Sequence, residues 1–146
     1  MSPLRQEPPV DIRSLLRAHV DWIVHFRESV YGLDMVDVRV TERDDQCELG
    51  RWIYGEAAHL RHLPEYEAAR QAHAAFHACA AEVVRLTLAG RHHEAKLAVD
   101  HGGRLRSQSA AMVRAFLWLS QRLTSKRLAS SSGASIDGRR QHGVSG

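Results

Sequence analysis

The sequence predicts an all-α protein: a four-helix bundle with an additional short helix that carries a cysteine ligand. Three observations predict it. Apolar residues recur at steps of three and four over long segments, the repeat of one helix face. Glycine and proline fall between those segments, where they stop and start helices. The one alternation of period two, Val36, Val38 and Val40, is short and has no partner strand.

The first helix is expected from Asp11 to about Tyr31, with Leu15, Leu16, Trp22, Ile23, Phe26 and Val30 on one stripe and Gly32 as its stop. His19 lies inside that stripe, one turn from both Leu15 and Trp22. Leu33 to Gln46 reads as a connecting loop. Asp44 or Asp45 is expected to cap a short helix from about Cys47 to Tyr54, ended by Gly55. Pro64 suits the first turn of a third helix that runs to about Ala89 and stops at Gly90. Its stripe is Tyr66, Ala69, His73, Phe76, His77, Ala80, Val84 and Leu88. The last helical region, Arg91 to about Arg127, bends or splits at Gly102-Gly103 and carries Leu105, Met112, Phe116, Leu119 and Leu123 on one side. Residues 1–10 are then a flexible N-terminus, 11–127 one helical domain, and the Ser- and Gly-rich 128–146 a disordered tail.

A chain of 146 residues fits one domain with tails and buries enough surface for a core of its own. Its 44% hydrophobic and 25% charged residues are ordinary for a globular protein. The net charge is +3, and Arg127, Arg139 and Arg140 against Asp137 put most of it near the C-terminus. A body so weakly basic, without aromatic–basic patterning, argues against nucleic-acid binding. The apolar runs are too short to span a membrane. Met1 to Val10 lacks the apolar stretch of a signal peptide, so the expectation is a cytoplasmic protein. Two cysteines make no disulfide framework. Ten histidines in so short a chain are the unusual feature.

Four residues concentrate the chemistry. His73 and His77 stand one turn apart on an apolar stripe, with small Ala69 and Ala80 beside them. His19 lies on the stripe of the first helix, which faces the third helix in an antiparallel bundle. Cys47 opens the short helix, where unpaired amide groups favour a thiolate. Three imidazoles and one thiolate complete a tetrahedral set for zinc, and such donors suit zinc better than magnesium or calcium. Taken singly, each has a plainer reading: His19 as a hydrogen-bonded core residue, Cys47 as a small buried hydrophobe, the histidine pair as core polar groups. The case for a metal rests on all four falling on facing surfaces.

The segments His19-Val20-Asp21-Trp22, Cys47-Glu48-Leu49-Gly50-Arg51-Trp52 and His73-Ala74-Ala75-Phe76-His77 resemble the chemoreceptor zinc-binding domain family. That family's pattern is His-x-x-aromatic, Cys-x-apolar-Gly-x-aromatic and His-x-x-x-His, and the resemblance extends from about Leu15 to Leu123. It implies tight zinc binding by His19, Cys47, His73 and His77 in a helical bundle that commonly forms a homodimer. It also implies that zinc level, or oxidation of the zinc-bound cysteine, is converted into a signalling output. Family members usually adjoin chemoreceptor signalling regions or diguanylate cyclase domains. This chain has no room for either, so a partner in trans is expected.

A sensory zinc module is thus the first expectation, and an interaction module with a purely structural zinc the alternative. No acidic residue stands in a His-Glu-x-x-His arrangement, and four protein ligands leave no open metal position, so an enzyme is not expected. Cys79 reads as packing, His59 and His62 as solvated, and His25, His92, His93 and His101 as outside the site. Trp22 and Trp52 are expected to pack around the metal. Trp118 marks either a dimer surface or an exposed edge of the core.

Overall fold

A computed structural model describes the backbone of residues 11–133 and the side chains of residues 11–125. Every regular element among the described residues is helical: α1 (Ile12–Gly32), α2 (Val38–Glu42), α3 (Glu48–Tyr54), a 3-10 turn (Glu56–Leu60), α4 (Pro64–Leu88), α5 (His92–Val99) and α6 (Arg104–Gly133). The longer helices build the bundle, and α3 is the additional short helix at whose start the cysteine sits. None of the described helices is long and apolar enough to cross a membrane.

The Asp11 carboxylate caps α1 by accepting from the Arg13 amide at 3.1 Å. The buried residues of α1 are Ile12, Leu15, Leu16, His19, Ile23, Phe26 and Val30, so His19 holds a core position of the helical repeat. The stop is shifted from expectation: Gly32 stays helical, and Leu33 takes the left-handed conformation at φ 58. The amides of Leu33 and Asp34 then close the helix end on the carbonyls of Val30 and Ser29.

The expected loop from Leu33 to Gln46 contains a helix. α2 is five residues long, and β-branched Val38, Val40 and Thr41 disfavour helix, which hides it from the sequence pattern. Two features hold it. Asp37 caps it through the Arg39 amide at 2.9 Å, and it packs on α4, where Glu42 pairs with Arg85 at 3.2 Å.

The cap of α3 also differs from expectation. Neither Asp44 nor Asp45 supplies it. Cys47 itself is the cap, in an extended conformation, and its Sγ accepts from the Gly50 amide at 3.3 Å. Gly55 ends α3 as expected, and its amide donates to the Arg51 carbonyl. Pro64 opens α4 in its first turn, and Gly90 follows the helix at φ +78.

The last helical region is split, not bent. Gly102 has φ +79, and a Cβ on Gly103 would lie 2.2 Å from the Leu97 carbonyl oxygen. α6 continues to Gly133, past the expected end near Arg127. The expected flexible segment 1–10 and the tail from 134 onward lie outside the described residues.

α4 is the central helix. It packs on α6, α2 and α5, while α1 packs on α3, α5 and α6. Phe76, Phe116, Leu49, Ile53, Leu105, Met112 and Leu119 are fully buried between them. This arrangement puts the apolar stripe of α4, with its two histidines, at the centre of the core.

Candidate metal centre

His73 and His77 project from successive turns of α4 into the core, with ring centroids 4.6 Å apart. His73 is 0% exposed. The turn before α3 brings Cys47 against them: Sγ is 3.2 Å from His73 Nε2 and 3.6 Å from His77 Nε2. Gly50 makes this approach possible. A Cβ there would lie 1.9 Å from the Asp44 carbonyl oxygen, so only glycine lets the first turn of α3 rest on that strand of backbone.

The hydrogen bonds fix one tautomer. His77 Nδ1 is 2.9 Å from the Thr41 carbonyl oxygen, which can only accept. Nδ1 therefore carries the proton, and Nε2 turns its lone pair toward Sγ. A carbonyl on the far nitrogen is the usual partner of a metal-ligating histidine. The donor atoms of Cys47, His73 and His77 all lie within 4.8 Å of one another. Zinc bonds of about 2.0 to 2.3 Å in a tetrahedron separate the donors by about 3.3 to 3.6 Å. The two sulfur–nitrogen distances, 3.2 and 3.6 Å, lie within about 0.1 Å of that range, so the residues fit the metal.

His19 does not join this three-donor group. It lies beside it, 6% exposed, with its ring edge-on to Phe76 at 4.4 Å. Its Nε2 is buried and has no hydrogen-bond partner among the described residues. It lines one cavity together with Cys47 and His77. A buried ring nitrogen without a partner is unfavourable unless something else occupies its lone pair.

Burial sets the protonation states. It lowers the pKa of His19 to about 3 and of His73 to about 4, and lowers that of His77, with neighbouring imidazoles adding to the shift of the first two. All three are neutral near pH 7, the form that binds a metal. The Cys47 thiol moves the other way from the sequence expectation. Burial pushes it up and outweighs the amides of Gly50 and Leu49, which pull it down. The helix start alone does not make a thiolate here; a bound cation would.

Two neighbours escaped sequence reasoning. Thr41 contributes only a carbonyl, which leaves no trace in the side-chain pattern. Asp44 accepts a hydrogen bond from the Tyr54 hydroxyl, which ties the segment before Cys47 to the end of α3. Of the two tryptophans, Trp22 packs near the site, 5.8 Å from the His77 ring. Trp52 is one layer farther out, against Phe116, which itself lies 6.3 Å from His73.

The residues set aside stay outside the site. His25, His59 and His62 are exposed and donate Nδ1–H to the backbone carbonyls of Asp21, Glu56 and His59. Cys79 is half-buried, its thiol pushed up by burial, and belongs to no donor cluster among the described residues.

A sulfur and two imidazole nitrogens converging inside a helical bundle define a metal-binding domain whose donors select zinc over hard cations. Residues 19–84 match the chemoreceptor zinc-binding domain family. The match begins at His19 and takes in Cys47, His73 and His77, while α5 and α6 lie beyond it. No curated protein and no solved structure matches the chain. The cofactor is zinc, and the domain is of the sensory, regulatory kind.

Proposed function

We propose that this chain is a zinc-responsive regulatory module in which His19, Cys47, His73 and His77 hold one zinc ion. The observation that carries this reading is the convergence of three donor atoms within 4.8 Å beside the unpartnered His19 Nε2. Bound zinc supplies a positive charge that stabilises the Cys47 thiolate and occupies the unpartnered His19 Nε2. Held to one point, the four residues tie α1, α3 and α4 together. Four protein donors leave no position for water or substrate, so the module is read as non-catalytic.

Cys47 is half-exposed, unlike His73, and this favours a regulatory over a purely structural site. Oxidation of its sulfur removes the anionic donor and lowers affinity. Released from the site, α3 alters the surface offered to a second copy of the chain or to a chemoreceptor or diguanylate cyclase signalling protein in trans. The setting proposed is cytoplasmic.

Metal analysis of the purified chain and its single variants tests the reading. One zinc per chain is expected. Cys47→Ala should lower affinity at least about 100-fold against a competing chelator, since even partners of the ligands contribute 10- to 100-fold, while helicity by circular dichroism persists. Unchanged affinity in Cys47→Ala would rule out the ligand set.

A further inference from the structure

Two cavities reach the metal centre, and they differ in which donors they expose. The first, about 260 Å³, lies between α1 and α3 and is lined by Ala18, His19, Trp22, Cys47, Glu48 and His77, among others. The second, about 590 Å³, lies between α1 and the α2 segment and meets Cys47 and His77 but not His19. His73 lines neither and is fully buried.

We propose that zinc enters and leaves through the first cavity, between α1 and α3, meeting His19, Cys47 and His77 before His73 completes the site. The proposal rests on the four-ligand reading above. Its physical basis is His19, which lines this cavity and not the second, and whose buried Nε2 has no hydrogen-bond partner among the described residues. A cation arriving there finds sulfur and two imidazoles without displacing a helix. Exposed Glu48, directly after Cys47, and exposed Arg51 share this cavity's wall, and Glu48 offers a carboxylate to an incoming partly hydrated ion. The charged residues lining the second cavity are both paired: Asp37 with Arg39 at 3.7 Å and Arg43 with Asp45 at 3.1 Å.

Stopped-flow mixing of the full chain with zinc, and of the zinc-loaded chain with excess chromophoric chelator, gives the two rates. Ala18→Phe fills the first cavity only. It should slow association and dissociation alike, by about tenfold, a barrier change of about 1.4 kcal/mol, and leave Kd unchanged. Ser29→Phe, on the wall of the second cavity and not of the first, should leave both rates at wild-type values. Wild-type rates in Ala18→Phe, or a larger slowing in Ser29→Phe, would overturn the route.

Glu48→Arg is a surface change that tests the route even if Ala18→Phe fails to fold. It should slow association about tenfold at low ionic strength, with the effect shrinking as salt rises. Mere loosening of α3 would speed exchange, so an unchanged or faster rate contradicts the proposal. A wild-type chain that binds no zinc refutes the four-ligand reading, whereas normal binding with rates indifferent to these changes refutes the route alone.

Discussion

At Cys47 two influences oppose each other: buried surroundings favour the neutral thiol, and the amides at the start of α3 favour the thiolate. Burial prevails in the metal-free protein, and the thiol keeps its proton at pH 7. His19, His73 and His77 have pKa values below their ordinary 6.5 and are already neutral there. Zinc binding near pH 7.5 should therefore release about one proton, all of it from Cys47, and apparent affinity should rise about tenfold per pH unit. Calorimetric titration in two buffers of different ionisation enthalpy measures this. Release of no proton would mean that Cys47 is not a ligand or is already ionised. Below about pH 4 His73, and below about pH 3 His19, must also lose a proton to bind, and affinity falls more steeply. The ligand candidates were legible in the sequence because side chains on an amphipathic helix announce their face through spacing. The Thr41 carbonyl that orients His77 was not, because every residue has a carbonyl and only the fold selects one.

Among the helices that carry or adjoin a candidate donor, α3 is shorter than α1 and α4. It has seven residues, below the length at which a helix holds in water by itself. Leu49 and Ile53 anchor it in the core, the Gly50 amide bonds Cys47 Sγ, and the Tyr54–Asp44 hydrogen bond closes the far end. α4, with 25 residues and the central core stripe, has far more to hold it. Removal of zinc should speed amide exchange in Cys47 to Tyr54 at least about tenfold while the middle of α4 stays protected. Hydrogen–deuterium exchange with and without chelator reads this, and uniform loosening of the whole bundle would contradict it. The long elements were legible because 3.6-residue periodicity and Gly or Pro punctuation agreed, as at Pro64 and Gly55. α2 was not, because its β-branched residues point away from helix and packing on α4 overrides them. The cap of α3 was misread for a related reason: aspartates are the usual caps, and Asp44 is instead engaged by Tyr54 while Cys47 takes the cap.

For the molecule as a whole, the candidate site lies where the turn into α3 brings Cys47 against His73 and His77 of α4, with His19 of α1 beside them. The family match ends within α4, and α5 and α6, which lie beyond it, contribute buried core residues such as Val99 and Phe116. The sequence carried the bundle because each helix stripe is separately readable. Its assembly rests on close approaches such as Gly103 against Leu97, which only coordinates reveal. Trp118 on α6 is 48% exposed. The central claim is that one sulfur and three imidazoles share a single metal. X-ray absorption at the zinc edge of the loaded chain tests it most directly. The account predicts one sulfur at about 2.3 Å and three nitrogens at about 2.0 Å; a first shell without sulfur would contradict it.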